Sequence, residues 1–407
     1  MCATASPPAA AGSPSGTPEL AAIFRAHGAG YRKSHALAVA QRRAMRAIEN
    51  CRTAALGGHR QACDRCGAVR VFYNSCRNRH CPKCQTLHQQ RWLQARRSEL
   101  LPVPYFHVVF TLPHDLNAVA QGNPRVLYDL LFEAASETLL EFGRDPKHLG
   151  GTVGITAVLH TWGRNLSQHL HLHCIVTGGA LAPDGSRWSR GRSKFLFPVR
   201  ALSRVFRGKY LAALTAAFAS HQLTFAGRTL HLTQPRAFAA WIASLRRRDW
   251  VVYCKAPVAG PQQLLDYLGR YTHRVAVSND RLVSFRNGVV RFRWKDYADG
   301  HKNKIMQLPA EEFIRRFLLH VVPDGFMRIR HFGILANRSR KKKLARCRQL
   351  LDISPQQLTT KIESAESLML RLTGIDIGLC PVCRQGRMHV TEILRRPATA
   401  PTYLDSS

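Results

Sequence analysis

Three histidines alternate with leucines in the stretch SQHLHLHCIVTGG, which covers residues 167–179. Successive side chains of a β-strand point to opposite faces, so a strand here places His169, His171 and His173 on one face. Neighbouring imidazoles on that face lie roughly 6.6 Å apart along the strand, and two of them can converge on one metal ion. The competing interpretation is a half-buried strand whose polar face merely carries histidines. Three histidines in register beside an apolar strand end favour the metal site.

A second set of reactive groups lies in the stretch DYLGRYTHR. On a helix, Tyr267 and Tyr271 share one face with Cβ atoms about 6 Å apart, and Arg270 and Arg274 extend the same stripe. A phenolate can attack phosphorus, and guanidinium groups can hold the phosphate and stabilise the charge that develops. The alternative is a pair of aromatic rings packed in a core, with the arginines reaching into solvent.

The two motifs together predict a metal-dependent nuclease. A divalent ion, Mg²⁺ or Mn²⁺, held by His171 and His173 would polarise a scissile phosphate as a Lewis acid, and a tyrosine would supply the nucleophile. A nucleobase deaminase is disfavoured, because its signature needs H-x-E and a proline directly before a CxxC pair. Ala62 and His80 precede the first two pairs instead.

Two CxxC pairs, CDRC and CPKC, predict a structural zinc site, because two thiolates on each tight turn can close a tetrahedral four-cysteine centre. The predicted ligands are Cys63, Cys66, Cys81 and Cys84. Four further residues could vary this site or form a second one: Cys51, His59, Cys76 and His80. A closed zinc site leaves no open position for chemistry, so we interpret the module as a DNA-binding zinc ribbon, with Arg77 and Arg79 on its loop toward DNA.

The charge of the chain indicates a polyanionic partner. Lys and Arg number 60 against 25 Asp and Glu in 407 residues, a net charge of +35. Such an excess drives binding to nucleic acid through counterion release, with an anionic membrane surface as the weaker alternative. No apolar run approaches the ~20 residues that span a bilayer, and no signal peptide is visible. We expect a cytoplasmic protein bound to nucleic acid, with Lys341, Lys342 and Lys343 among its DNA contacts.

The surrounding sequence predicts the elements that position these motifs. Tyr105–Pro113 and Gly151–Trp162 are rich in β-branched and aromatic residues, which is typical of strands. Strands and helices interleave without a βαβ rhythm, so we predict an α+β fold with a central, mostly antiparallel sheet. The predicted organisation is a disordered segment 1–18, a helix plus zinc-binding module 19–100, a nuclease domain 101–300, a basic, mostly helical region 301–395, and a tail 396–407.

The combined motifs resemble a known family, the two-tyrosine rolling-circle transposases of the insertion-sequence-ninety-one family, within the wider HUH single-strand endonucleases. HUH denotes two histidines around a bulky hydrophobic residue. Further matching stretches are SCRNRHCPKCQ, FHVVFTLPH, LHTWGRNL, HLHLHCIVTGGAL, YLGRYTHRVAVSN and FMRIRHFGILANR. The resemblance covers roughly residues 20–390.

The resemblance implies His171 and His173 as the HUH pair, Tyr267 and Tyr271 as nucleophiles, and an HUH-type sheet. It further implies cleavage of single-stranded DNA in which a tyrosine takes the 5′ phosphate and leaves a free 3′ hydroxyl, without a nucleotide cofactor. Expected partners are single-stranded element ends and target DNA at the bacterial nucleoid. They could also include a second copy of the chain and host replication factors.

The sequence departs from the pattern of single-tyrosine relatives at the position expected to supply the third ligand of the catalytic metal. In those relatives, a polar residue four positions after the tyrosine can complete the coordination shell of the metal. Here those positions hold Tyr271 and Val275. The first candidate for this ligand is His169, followed by Gln168, His107 and His160. The pair His169-Leu170-His171 is formally an HUH motif too. We prefer the later pair because an apolar strand continues after it as in the family.

Three alternatives use the same features differently. A plasmid replication initiator or a conjugative relaxase would share the HUH chemistry. A non-catalytic zinc-ribbon regulator would account for the charge and the cysteines, but it leaves the histidine strand and the tyrosine pair unexplained. The zinc module and the basic C-terminal third favour a transposase, on resemblance.

Overall fold

The structure, a computed structural model, describes residues 18–192, 194–255, 269, 275–296, 299–353 and 363–397. The helix predicted around the two tyrosines lies outside these residues, apart from Gly269. Tyr267, Arg270, Tyr271 and Arg274 are therefore not described. The predicted disordered start and the tail also lie almost entirely outside the described ranges.

Helices and strands interleave along the described chain. The helices are α1 (Leu20–Ser34), α2 (Val39–Asn50), α3 (Gln85–Arg97), α4 (Asn117–Gly122), α5 (Pro124–Arg144), α6 (Val199–Ala219), α7 (Pro235–Arg247), α8 (Ala310–Leu318), α9 (Arg340–Leu350) and α10 (Ala365–Thr373). The strands are β1 (Gly58–Cys63), β2 (Val69–Tyr73), β3 (Tyr105–Thr111), β4 (Thr152–Trp162), β5 (Gln168–Leu181), β6 (Trp188–Arg190), β7 (Val252–Lys255), β8 (Leu282–Arg286), β9 (Val289–Asp296), β10 (Lys302–Pro309), β11 (Ile329–Gly333) and β12 (Met388–Leu394). Within these ranges, no helix combines the length and the apolar character needed to cross a bilayer.

The central sheet is antiparallel throughout its described strands. Its order is β11-β4-β5-β3-β7, and the short β6 pairs with the end of β5. One face of the sheet, including Leu170, Leu172 and Cys174, is fully buried in the main core, where α5 and α6 cover it. The strands predicted at 105–113 and 151–162 and the predicted α+β class are confirmed.

A second layer surrounds a smaller core beside the central sheet. The helices α1, α2 and α8 pack there with the antiparallel sheet β10-β9-β8, and Phe24, Phe292 and Phe313 are fully buried among them. The hairpin between β8 and β9 turns at Asn287 and Gly288, whose φ angles are 49° and 73°. Two successive residues with positive φ are typical of a type I′ turn, which matches the right-handed twist of paired strands.

A third sheet joins the strands that follow α2 to the last strand of the described chain. Its order is β12-β1-β2, and both pairs are antiparallel. The register runs from Gly58 opposite Leu394 to Cys63 opposite Met388, with an irregularity between Arg60 and Gln61. The C-terminal region is helical in α8, α9 and α10, but it also contributes one strand to each of the three sheets.

Candidate metal centre and zinc module

Three histidines converge on the face of the central sheet that the main core does not cover. His171 and His173 lie on β5, and the strand register places His160 of β4 directly opposite His171. One ring nitrogen from each of the three lies within 4.8 Å of the others. Strand alternation explains this arrangement, because the intervening Leu172 points into the main core. Such a set of imidazole nitrogens can hold one divalent cation.

Hydrogen bonds orient two of these imidazoles. Nδ1 of His171 lies 2.8 Å from the carbonyl oxygen of His169, so Nδ1 carries the proton and Nε2 presents a lone pair. Nδ1 of His173 lies 2.8 Å from Nε2 of His107. Burial, and then the charge of Lys255, lower the pKa of His107 to about 4, so His107 is neutral at neutral pH. Partners of this kind fix the ring orientation and tautomer of metal ligands.

The structure distinguishes among the predicted candidates for a third ligand. His160 belongs to the group with His171 and His173, and Trp162 stacks on its ring at 4.6 Å between centroids. His169 lies outside that group, 5.4 Å between ring centroids from His114. Gln168 accepts a hydrogen bond of 2.7 Å from Gln121. The strand pairing that brings His160 opposite His171 is the signal that would have ranked it first.

The predicted zinc grouping is wrong, because the two N-terminal CxxC pairs do not meet. Cys81 and Cys84 join Cys51 and Cys76, and their sulfur atoms all lie within 4.8 Å of one another. Cys63 and Cys66 lie instead in a second cluster with Cys380 and Cys383. Equal CxxC spacing does not specify which pair meets which; that depends on the path of the whole chain.

The first cysteine cluster is partly embedded in the smaller core. Cys51, Cys81 and Cys84 are buried there beside Trp162 and Leu166. The Sγ atom of Cys84 lies 3.5 Å from that of Cys51 and 3.6 Å from that of Cys76. Hydrogen bonding from the thiols of Cys51 and Cys76 lowers the pKa of Cys84, which favours the thiolate that zinc binds.

The two histidines that the sequence offered as possible zinc ligands, His59 and His80, do not lie among the cysteines. His59 stacks on Phe72, with 5.5 Å between ring centroids. His80 is buried, and burial followed by the charges of Arg328 and Arg79 lowers its pKa well below the usual value. Neither histidine belongs to a cysteine cluster.

Helix α3 links the first cysteine cluster to the histidine face. It begins at Gln85, directly after Cys84, and its Leu93 packs on Tyr105 and Ile175 of the sheet. Ile175 alternates with His173, so Leu93 covers the same face that carries the histidines. Gly269 is buried against this helix: its carbonyl oxygen accepts a hydrogen bond from Gln89, and a Cβ at this position would lie 3.0 Å from Leu93 Cδ1.

The predicted DNA contacts differ in exposure. Arg77, Lys341 and Lys342 are exposed, and Lys343 is half-buried. Arg79 is half-buried and donates a hydrogen bond to the carbonyl of Phe326. Its DNA-binding role, like the others, stays a prediction.

Comparisons with known proteins agree with these features. A family described as "Transposase zinc-binding domain" matches residues 23–112, and a family described as "Putative transposase" matches residues 154–343. The zinc-binding match and the cysteine clusters together support structural zinc.

Two curated relatives extend the similarity over most of the chain. "Putative transposase y4qJ" of Sinorhizobium fredii (strain NBRC 101917 / NGR234) is 51% identical over 394 residues, 96% of this chain and 99% of that protein. "Transposase for insertion sequence element IS801" of Pseudomonas savastanoi pv. phaseolicola is 29% identical over 339 residues, 82% of this chain and 79% of that protein. No solved structure matches significantly. The chain therefore belongs to the insertion-sequence-ninety-one (IS91) family of transposases.

Proposed function

We propose that this transposase nicks and rejoins single-stranded DNA through 5′-phosphotyrosine intermediates during rolling-circle transposition. The observation that carries the proposal is the convergence of His160, His171 and His173 on the face of the sheet opposite the main core. Tyr267 and Tyr271 are the proposed nucleophiles. Gly269, which lies between them in sequence, packs on Leu93 over this same face.

The donor set fits a divalent cation. Nitrogen ligands suit Mn²⁺ better than Mg²⁺, which prefers oxygen, so we propose Mn²⁺ as the tighter binder and Mg²⁺ as a second active ion. A cation bound here would act as a Lewis acid on the scissile phosphate. His107, neutral because it is buried, would hold the ring of His173 in its ligating orientation.

The proposed reaction conserves the number of phosphodiester bonds. The Oη atom of Tyr267 or Tyr271 loses its proton and attacks phosphorus, and the bond from phosphorus to the 3′ oxygen breaks. That oxygen takes up one proton and leaves as a 3′ hydroxyl, so the step has no net proton change. Attack by a 3′ hydroxyl on the phosphotyrosine reverses the step and releases the tyrosine. Two nucleophiles would let one chain hold two cut ends in turn. Arg270 and Arg274 are proposed to hold the phosphate.

The charge of the chain supports a nucleic acid as the proposed substrate. The net charge of +35 favours DNA through counterion release, and the strands expected are the element ends and the target. The proposal places the protein at the bacterial nucleoid, where a second copy of the chain and host replication factors are further proposed partners.

Substitution of the histidines tests the metal centre. We expect His171→Ala with His173→Ala to abolish metal-dependent cleavage of single-stranded DNA, and His160→Ala to raise the Mn²⁺ concentration needed for half-maximal cleavage about 10-fold or more. His169→Ala is the matched control on the same strand and should change that concentration little. DNA binding, measured by fluorescence anisotropy, should persist in all variants. Cleavage by the double variant at the wild-type rate would refute the metal site, whereas DNA binding without any cleavage by the wild type would favour the non-catalytic zinc-ribbon regulator.

A further inference from the structure

The second cysteine cluster joins two segments that are far apart in the sequence. Cys63 ends β1 and Cys66 follows it, whereas Cys380 and Cys383 precede β12. The cysteines Cys66 and Cys380 are 314 positions apart. We propose that these four cysteines bind a second structural zinc ion, which fastens the C-terminal segment to the N-terminal module. The matched zinc-binding family model ends at residue 112 and does not include the C-terminal pair.

The spacing of the sulfur atoms fits a tetrahedral metal site. Sγ of Cys63 lies 3.7 Å from Sγ of Cys383, and Sγ of Cys66 lies 3.7 Å from Sγ of Cys380. A zinc–sulfur distance of about 2.3 Å gives a tetrahedron whose sulfur atoms are about 3.8 Å apart. A disulfide would bring two sulfurs to about 2.05 Å. Four thiolates without imidazole or carboxylate form a closed zinc site.

Both cysteine pairs lie on knuckle turns whose backbone points toward sulfur. The backbone N–H of Cys66 lies 3.5 Å from Sγ of Cys63, and that of Gly386 lies 3.3 Å from Sγ of Cys383. Such N–H groups stabilise the negative charge of a thiolate. Gly386 also permits close approach of the two turns, because a Cβ there would lie only 2.5 Å from Sγ of Cys63.

Main-chain pairing brings the two turns together. The strands β1 and β12 are antiparallel neighbours as far as Cys63 opposite Met388. Just beyond, the backbone N–H of Asp64 donates to the carbonyl of Arg387 at 3.1 Å, and the N–H of Arg387 donates to Oδ1 of Asp64 at 2.8 Å. The zinc would therefore bind between two turns that backbone hydrogen bonds already hold side by side.

The two proposed zinc sites differ in exposure. Three of the four cysteines of the first cluster are buried, against two of the four in the second, Cys63 and Cys380. Cys66 of the second cluster is exposed, and Cys383 is half-buried. The first cluster is continuous with the core beside the central sheet, whereas the second lies at one end of the strands of the small sheet β12-β1-β2. Loss of the second zinc should therefore free the C-terminal segment without removing the first zinc.

The zinc content of the full chain tests this assignment. The purified protein should hold two zinc ions by atomic emission, and Cys380→Ser with Cys383→Ser should hold one. Cys254→Ser is the matched control, since Cys254 lies on β7 outside both clusters, and it should keep two. A wild-type chain with one zinc ion that the double substitution leaves in place would overturn the proposal, as would iron in place of zinc.

A second readout keeps the test decisive if the substituted protein folds poorly. The wild-type chain loaded with ¹¹³Cd should give two NMR resonances typical of four-thiolate sites, and Cys66→Ser should shift or remove only one of them. A single wild-type resonance that Cys66→Ser leaves unchanged would also overturn the proposal. Neither measurement depends on DNA cleavage, so their failure is distinct from failure of the proposed nuclease function.

Discussion

His320 is a fully buried histidine close to, but not part of, the histidine centre. It is 2% exposed, its Nε2 lies 3.2 Å from the carbonyl oxygen of Leu166, and its Nδ1 lies 3.4 Å from the hydroxyl of Thr161. Burial lowers its pKa from 6.5 to about 4, although hydrogen bonds with the backbone of Leu166 and of Thr161 oppose that shift. Below pH 6.5 the unfolded chain therefore binds a proton at His320, whereas the folded chain does so only near pH 4.

This burial predicts a stability loss in mild acid. Because the folded pKa is the lower one, the contribution of His320 is fully present above about pH 6.5 and is lost as the pH falls to about 4, by up to about 3 kcal/mol. His320→Gln cannot titrate, so its free energy of unfolding in urea should fall less over this range than that of the wild type. His231→Gln, at an exposed position, should follow the wild type. Equal pH dependence of the wild type and His320→Gln would contradict the assignment.

Individual residues also show which parts of the candidate site could be predicted from the sequence alone. Alternation of His169, His171 and His173 was enough to predict their common face, since the side-chain period of a strand is fixed. Identifying the third candidate ligand required the register of β4 against β5, which places His160 opposite His171. Local sequence does not encode that register. Local patterns therefore predicted the pair, but they placed His160 last among the four candidates for the third ligand.

At the scale of elements, α3 connects the first cysteine cluster with the candidate catalytic face. Its start follows Cys84, and Leu93 contacts both the sheet and Gly269. The helix thereby fixes one point of the segment that contains the proposed nucleophiles. Helix positioning of this kind matters because a displacement of about 1 Å can reduce a catalytic rate about 100-fold.

Truncation of Leu93 tests that link. Leu93 is 8% exposed, so Leu93→Ala should lower the free energy of unfolding by about 2 kcal/mol or more through weaker packing on Tyr105 and Ile175. We expect cleavage of single-stranded DNA to fall about 10- to 100-fold in folded protein, while Mn²⁺ binding is retained. Leu230→Ala, at a position 58% exposed, is the matched control and should change both quantities little. Wild-type cleavage by Leu93→Ala would show that α3 does not position the segment.

The pairing of elements shows the same limit of sequence analysis. Apolar runs predicted the strands β3 and β4, because a strand that is buried in a core must be built largely of apolar residues. The contact between β1 and β12 joins residues that are far apart in the sequence, and it decides which cysteine pairs meet. CxxC spacing specifies a knuckle but not its partner, and the zinc grouping predicted from spacing was wrong for that reason.

At the scale of the whole molecule, the excess of 35 positive charges predicts binding that depends strongly on salt. Helix α9 carries part of this charge in Lys341, Lys342 and Lys343, of which the first two are exposed. When lysines neutralise phosphates they release counterions, and this effect does not depend on base sequence.

Replacing these three lysines with alanine should weaken binding to all single-stranded sequences alike. The slope of log affinity against log salt concentration should become shallower by about 2, because each phosphate that a lysine neutralises on a single strand contributes about 0.7 to that slope. Lys209→Ala is the control, because Lys209 already pairs with Glu141 at 2.9 Å. Fluorescence anisotropy over a salt series measures both the affinity and the slope. An effect confined to one sequence would indicate that α9 reads bases instead.

The central claim is tested most directly by mapping the residue that becomes attached to DNA. The purified protein would be mixed with Mn²⁺ and single strands from the DNA that flanks its gene, and the adduct would be digested and sequenced by mass spectrometry. We expect a 5′ phosphate linked to Tyr267 or Tyr271, formed only on single strands, lost with EDTA and absent from the variant with both tyrosines changed to phenylalanine. An adduct that persists in that variant, or one linked to another residue, would contradict the account.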